Sequence, residues 1–187
     1  MNSFSDILIR RRSIRQFTDQ ALTPEEVQAL LSAALRAPSS MNRHSTRFIL
    51  VEDKETLKAL SYMRERGCTF LSSCAVGIVV LGCPMECEPW VEDASLAAGY
   101  MQLQAEALGL GSCWAHVYNK LTPNGQDAAE YVRQLLHIPY QLEVLCVIGV
   151  GHKGEDKAPR EEETLKWEHV FLGEYPTEDT TADTTAE

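Results

Sequence analysis

The chain has 187 residues, enough for one packed domain, and its 44% hydrophobic and 24% charged residues are typical of a globular protein. A net charge of −10 argues against a general nucleic-acid surface, since nucleic acids attract basic proteins. The sequence holds neither the ~20-residue apolar run that crosses a bilayer nor an apolar export signal near its start, so we expect a cytoplasmic protein with no membrane partner.

Six cysteines could form disulfides, but a chain of this length needs no crosslinks, so we expect reduced thiols. Cys83 and Cys87 lie four residues apart, yet no second Cys or His pair stands at the spacing of a structural zinc site. We therefore predict no metal. The cysteines are Cys68, Cys74, Cys83, Cys87, Cys113 and Cys146.

Hydrophobic spacing, capping residues and helix-breaking residues divide the chain into helices that alternate with strands. Thr23 and Glu26 form a capping box, Pro38 ends the helix that follows, and Gly109 is placed to end a later helix in a left-handed conformation. In chain order we predict a helix over 2–11, a helix from Thr23 to Pro38, a strand over 48–51, a helix over 53–63, a strand over 75–81, a helix over 92–108, a strand over 112–117, a helix over 127–136 and a strand over 142–150.

Strands separated by helices predict an α+β or α/β sheet flanked by helices. The 92–108 helix carries small residues at Ala94, Ala97, Ala98 and Ala105, which would let another helix approach closely. Residues 174–187 are rich in Thr, Asp and Glu, so we expect an acidic disordered tail after a single domain over 1–173.

Two basic clusters stand far apart in the sequence. Four arginines lie in the segment 10–15, and His152, Lys153, Lys157 and Arg160 follow the last predicted strand. Arginine forks match phosphate oxygens, so the two clusters would form a phosphate pocket if they meet. The alternatives are unrelated charges on a solvated helix face or a nucleic-acid patch. The nucleic-acid patch is disfavoured because apolar residues alternate with the arginines, as in a packed segment.

The segment 37–42 follows the second predicted helix and carries small hydroxyl and amide groups. Such groups can hydrogen-bond a ligand at little steric cost. The alternative is a plain helix-ending turn, where proline, serine and asparagine are common.

In order and spacing these segments resemble the signatures of the nitroreductase family of flavoproteins over about residues 4–172. The resemblance rests on Arg11-Arg12-Ser13-Ile14-Arg15-Gln16-Phe17, Ala37-Pro38-Ser39-Ser40-Met41-Asn42 with the strand 48–51, the helix exit over 105–114, and Gly149-Val150-Gly151-His152-Lys153 continuing to Arg160. It implies an α+β fold with a central mixed sheet flanked by helices. It also implies a domain-swapped type of homodimer with two FMN sites at the interface.

The resemblance assigns a role to each segment. Arg11, Arg12 and Ser13 would hold the FMN phosphate, with the basic residues near 157 approaching from the C-terminal side. Arg15 would reach the ribityl and pyrimidine edge of the flavin, where we expect it to stabilise the reduced ring. Ser39, Ser40 and Asn42 would come from the partner subunit. The implied cofactor-site residues are Arg11, Arg12, Ser13, Arg15, Pro38, Ser39, Ser40, Asn42, Trp114, Ala115, His116, Lys153, Lys157 and Arg160.

The implied activity is hydride transfer from NADH or NADPH, through flavin N5, to a small acceptor such as a nitroaromatic or a quinone, in ping-pong fashion. The alternatives are a flavin-fragmenting or dehydrogenase relative of the same fold, and a flavin-binding module without turnover.

Two departures from the family pattern bear on substrate choice. The Gln-Pro-Trp that commonly follows the second signature is missing after Asn42, and His116 stands where glycine is frequent. His116 could contact the flavin ring or donate a proton. We expect Cys113 to be a core residue and not a nucleophile.

Overall fold

The computed structural model describes residues 3–175, which form five α-helices, four β-strands and four short 3₁₀ turns. The helices are α1 Phe4–Arg10, α2 Pro24–Leu35, α3 Lys54–Leu60, α4 Trp90–Ala107 and α5 Ala128–Leu136. The strands are β1 Arg47–Val51, β2 Val76–Gly82, β3 Leu110–His116 and β4 Glu143–His152. The α+β class, which the family resemblance implied and which the alternation of helices and strands left open beside α/β, is confirmed.

The four strands form one sheet in the order β1-β2-β4-β3, and every neighbouring pair is antiparallel. The expectation of a mixed sheet is therefore wrong for the described strands. The helix-connected strands β2 and β3 do run parallel, but β4 lies between them and pairs antiparallel with both. Among residues 3–175 the one parallel pairing is a single bridge between Ser13 and Ser112.

The sheet lies between two helical layers, each with its own buried cluster. Helices α2 and α4 cover one face, where Leu30, Met101 and Ile148 are buried, and α3 and α5 cover the other, around Leu57 and Val147. The small residues of α4 face this core, and the helix that approaches them is α2 of the same chain. The opposite face of α4 is left exposed.

Two of the differences between predicted and observed boundaries have a clear physical reason. The predicted helix over 53–63 ends at Leu60, because the chain continues through Tyr62 and Met63 with tighter i→i+3 hydrogen bonds. Strand β3 begins at Leu110 because Gly109, at φ +77°, reverses the chain and the next residues pair at once with the end of β4. The predicted strand over 112–117 therefore began two residues too late.

Glycines on one face of the sheet make room for the segment 12–17. A Cβ on Gly111 would lie 2.8 Å from Cγ2 of Ile14, and a Cβ on Gly151 would lie 3.0 Å from Cδ1 of Phe17. Side chains at these positions would push the segment off the sheet. The two apolar residues that alternate with the arginines are therefore its anchors.

No helix within residues 3–175 is long and apolar enough to cross a membrane. All six cysteines are unpaired and buried. In the same part of the chain no three His, Cys, Asp or Glu side chains stand close enough to hold a metal ion. Most of the predicted acidic tail, residues 176–187, lies outside the described residues, so the tail and the domain boundary at 173 stay predictions.

Replacing Gly149 by alanine should destabilise the fold by about 1–3 kcal/mol, because the added methyl overpacks a filled core. The new Cβ would lie 2.7 Å from Cε2 of Phe70 and 3.0 Å from Cδ2 of Leu71. Urea unfolding of the purified protein measures the change. The control is Lys58→Ala on the exposed surface of α3, which should change the stability by no more than about 0.5 kcal/mol. Equal effects of the two substitutions would contradict this account of the core.

Candidate functional site

The arginine-bearing segment 11–17 is held against the sheet by backbone hydrogen bonds. The N–H of Ile14 donates to the carbonyl of Ser112 in β3 at 3.0 Å, and the N–H of Gly154 donates to the carbonyl of Gln16 at 2.8 Å. The segment is thus fixed to strand β3 and to the loop that follows β4. The two basic clusters of the sequence meet here.

A carboxylate organises this junction. Oε1 of Glu155 accepts hydrogen bonds from the backbone N–H groups of Arg15 at 2.6 Å and Gln16 at 3.3 Å, and it lies 3.2 Å from Nζ of Lys157. The backbone bond from Arg15 lowers the pKa of Glu155 below its ordinary value. Sequence reasoning missed Glu155 because an acidic residue between basic ones was not assigned a role in a phosphate pocket.

The predicted phosphate-binding residues lie around the same junction. Nζ of Lys157 donates to the carbonyl of Ser13 at 2.8 Å, and the guanidinium of Arg12 donates to the carbonyl of Ala158. The backbone N–H of Arg160 bonds to helix α1 at 2.9 Å. The structure therefore brings the segment 11–13 and the loop 157–160 together.

Lys153 has a different partner from the one predicted. Its Nζ lies 2.9 and 3.0 Å from the carboxylate of Glu106, which is buried at the end of α4 and also lies 3.9 Å from Nε of Arg10. A buried carboxylate needs a counter-charge, so Lys153 is committed to this ion pair. His152 also turns away from the junction, with Nε2 4.0 Å from Oε2 of Glu26.

An open groove of about 860 Å³ begins at this junction and follows the exposed face of α4. Arg11 and Ser13 line it on one side, Trp114 lines it from β3, and Leu96 and Tyr100 are among the α4 residues along it. Ser13 forms an isolated β-bridge with Ser112 of β3, two residues before Trp114. The groove thus has one cation and a hydroxyl at the end near the junction, the aromatic side chain of Trp114 on β3, and the carboxylate of Glu92 at the start of α4.

The alternation of β3 separates the three residues predicted to lie along the flavin. Trp114 and His116 point to the same face of the sheet, with ring centroids 6.3 Å apart and an interplanar angle of 26°. Ala115 is fully buried on the opposite face, in the cluster that contains Cys113. The prediction for Ala115 therefore fails for its side chain, which cannot line the groove. Burial raises the pKa of Cys113, which agrees with the core role expected for this thiol.

His116 lies in a basic environment. The indole N–H of Trp114 donates to Nδ1 of His116 at 3.3 Å, and the guanidinium of Arg64 donates to the carbonyl of His116 at 3.2 Å. Burial lowers the pKa of His116 below 6.5, and the charges of Lys120 and Arg64 lower it further. The imidazole is therefore neutral near pH 7. Sequence reasoning missed Arg64, which no motif connects with β3.

The loop 39–44 holds a strained backbone. Met41, Asn42 and His44 all adopt left-handed conformations, with φ of 51°, 57° and 50°. The N–H of Ser40 donates at 2.9 Å to Oδ1 of Asp93, a buried carboxylate in the first turn of α4. Strain of this kind costs about 1–3 kcal/mol for each residue and clusters at functional sites. Sequence reasoning missed Asp93, the residue that holds this loop in place.

Within one chain this loop does not meet the arginine segment. Pro38 and Ser39 border a small cavity next to Asp93, at the N-terminal end of α4. The groove that Arg11 and Ser13 line runs along α4 from Glu92 to Leu103. The neighbouring Arg10 lies 3.9 Å from Glu106, in the last turn of α4, which places the arginine segment at the C-terminal end of the helix. The two predicted halves of the site therefore stand at opposite parts of one helix.

The model of the nitroreductase family matches residues 8–66 and 90–152 of the chain. The chain belongs to the nitroreductase family. A provisionally named NADH dehydrogenase/NAD(P)H nitroreductase of Archaeoglobus fulgidus is 33% identical over 81% of this chain and 86% of its own length. The membership predicted from the four signatures is thus confirmed.

Solved structures of family members share the fold. An FMN-dependent nitroreductase from Clostridium difficile has a TM-score of 0.88 and 38% identity, over 90% of this chain and 98% of that one. A provisionally named nitroreductase from Desulfovibrio desulfuricans, solved in complex with FMN, has a TM-score of 0.74 and 25% identity, over 94% and 99% of the two chains.

The His116 environment makes a testable prediction about pH. Because its pKa is lowered on folding, neutral His116 favours the folded state above pH ~6.5. This contribution is lost as the pH falls through the lowered value. NMR titration should give His116 a pKa below 6.5, and Lys120→Gln should raise it by removing a nearby positive charge. Lys58→Gln, on exposed α3 surface, is the matched control. A His116 pKa above 6.5, or one that Lys120→Gln leaves unchanged, would contradict the described environment.

Proposed function

We propose that this protein is an FMN-dependent oxidoreductase that passes hydride from NADH or NADPH to small electrophilic acceptors such as nitroaromatics or quinones, in a ping-pong cycle. The observation that carries the proposal is the junction of the segment 11–13 with the loop 157–160 at a groove that continues past Trp114. Family membership and relatives named for FMN and NAD(P)H support it.

The residues of the groove, together with those of the junction where it begins, fit an FMN molecule. Arg11, Arg12, Lys157 and Arg160 supply positive charge, and Ser13 supplies a hydroxyl donor, which is the donor set that a phosphate group requires. From Ser112 to His116, strand β3 extends about 13 Å, so a ring system can lie beyond the phosphate and alongside the strand. We assign the phosphate to the arginine end and the ring to the neighbourhood of Trp114.

FMN, when bound, supplies the hydride chemistry of the reaction. The residues of the chain bind and orient it and shape the place where donor and acceptor take turns. Arg15 is our assignment for the cation that offsets negative charge on the reduced ring, since fixed charges stabilise developing charge without reorganisation. Trp114 would cover part of the ring and exclude water. No side-chain nucleophile is needed.

We also propose that the working form is a homodimer that packs two copies of α4 against each other. Leu96 and Tyr100 leave 45% and 41% of their surface exposed on the outer face of this helix. The helix has 18 residues, which gives a length of about 27 Å. Antiparallel packing about a two-fold axis would bring the loop end of one α4 next to the arginine end of the other.

This arrangement accounts for the separation of the two half-sites within one chain. Pro38, Ser39, Ser40 and Asn42 of one protomer would then complete the groove of its partner, as the family resemblance implies. The exposed apolar residues of the C-terminal segment support a swapped arm that packs on the second copy. They include Trp167, with 59% of its surface exposed, and Leu172, with 95%.

The direct test of activity is steady-state oxidation of NADH and of NADPH by the purified protein with menadione as acceptor. We expect a yellow protein that bleaches with the nicotinamide, recolours with menadione or a nitroaromatic, and exceeds the rate of free FMN. Recolouring only with a specialised substrate would favour a flavin-fragmenting or dehydrogenase relative. Bound FMN without a rate above free FMN would favour a binding module.

Removing two cations of the junction should remove the cofactor. The double substitution Arg12→Ala with Lys157→Ala should weaken FMN binding at least about 100-fold and give a colourless protein, because each charge-assisted hydrogen bond contributes roughly 1.5–3 kcal/mol. The pair Arg36→Ala with Lys58→Ala makes the same charge change on exposed surface and should keep its colour. FMN content per chain is the measurement. Full occupancy in the first variant would overturn the assigned phosphate site.

The dimer proposal predicts that Tyr100→Glu produces a monomer, because it places a carboxylate in an apolar interface. Light scattering after size exclusion measures the mass, and the same sample gives the FMN content, which should fall with the dimer. Tyr62→Glu introduces the same group at another exposed tyrosine and should remain dimeric. A Tyr100→Glu protein that is dimeric and fully loaded would contradict the proposed interface.

A further inference from the structure

The imidazole of His116 is held in one tautomer. Its Nδ1 accepts a hydrogen bond from the indole N–H of Trp114 at 3.3 Å, so in the neutral ring the proton resides on Nε2. No hydrogen-bond acceptor among residues 3–175 engages Nε2. His116 therefore presents a free N–H donor on the same face of β3 as Trp114.

Two cations without a carboxylate partner within the described residues act on His116, one by contact with its backbone and one through its charge. One N–H of the Arg64 guanidinium donates a hydrogen bond to the carbonyl of His116, and the positive charge of Lys120 lowers the pKa of the imidazole. Within the described part of the chain neither Arg64 nor Lys120 forms an ion pair with a carboxylate. The three side chains come from two separate segments, the loop after α3 and the end of β3 with its following turn.

The position of His116 places this cluster at the far end of the proposed cofactor site. It lies about 13 Å along β3 from Ser112, where the arginine segment bridges to the strand. The phosphate of the cofactor is assigned to that arginine end, so it does not need the second cluster. A second anionic group is the chemistry that the cluster suits, since an N–H donor and two uncompensated cations attract oxygen anions.

We propose that His116, Arg64 and Lys120 form an anion-binding end of the substrate site, where Nε2–H of His116 donates to a carboxylate or phosphate oxygen of the bound substrate. This inference rests on the proposed function. The anionic group belongs either to the electron acceptor or to the 2′-phosphate that distinguishes NADPH from NADH. The positive charges of Lys120 and Arg64 attract the anionic group, and the hydrogen bond from His116 orients it.

The test compares two acceptors that differ in charge only at one substituent, para-nitrobenzoate and para-nitrobenzamide. The ratio of their kcat/KM values should shift about tenfold against the benzoate in Lys120→Gln and in His116→Phe, as expected for losing a charge or a charge-assisted bond. Most of the shift should lie in KM for the benzoate. His116→Gln keeps an N–H donor and should recover part of the ratio, and Lys58→Gln should leave it unchanged.

A second arm identifies the source of the anion. With para-nitrobenzamide as the fixed acceptor, the kcat/KM ratio for NADPH over NADH is measured in the same variants. A shift in this ratio alone assigns the site to the phosphate of the nicotinamide donor, and a shift in the first ratio alone assigns it to the acceptor. If neither ratio moves by more than about twofold, the anion site is wrong.

A third measurement separates this inference from the proposed function. NMR of the imidazole nitrogens of His116 should show the Nε2–H tautomer and a shift on titration with benzoate, and Lys120→Gln should weaken that response. This readout needs no turnover. If the wild-type protein oxidises nicotinamides but shows no response to benzoate, and the variants leave both ratios unchanged, the anion site is refuted and the proposed function stands. If the protein binds no flavin and shows no turnover, the proposed function is refuted, and the NMR titration still tests the anion site.

Discussion

The structure depends on the fit of one extended segment against a place in the sheet where two paired glycines, Gly111 and Gly151, present no side chains. Ile14 and Phe17 can lie flat only because Gly111 and Gly151 offer no Cβ, and the backbone bond from Gly154 then closes the junction. The apolar residues anchor the segment, which leaves its arginines directed away from the core. A packed backbone, and not flexible side chains, therefore sets the spacing of the cations.

Carboxylates stabilise the elements around this junction. Glu155 accepts a hydrogen bond from the backbone of the segment 11–17. Glu106 pairs with Lys153 at the end of α4, and Asp93 accepts a hydrogen bond from the strained loop at the start of α4. Each one places a negative charge where backbone N–H groups or a neighbouring cation can pair with it. The cations near the groove are thereby divided into those that build the fold and those that remain for a ligand.

Much of this arrangement could be predicted from sequence, since the signatures gave the family, the helices and the meeting of the two basic clusters. The failures have identifiable physical reasons. Lys153 was grouped with Lys157 by charge, but only the fold brings the buried carboxylate of Glu106 to it. Ala115 was grouped with its neighbours, although strand alternation turns it to the other face. The mixed sheet was wrong because pairing between distant strands is not a local property.

The relative affinity for FMN and riboflavin tests the central claim most directly, because the two ligands differ only in the phosphate. Displacement titrations on the flavin-free protein would give both dissociation constants under one buffer condition. An arginine junction built for a phosphate predicts that riboflavin binds at least about 100-fold more weakly than FMN. Equal affinities would mean that the meeting of the two basic clusters does not bind the cofactor, and the account would fail.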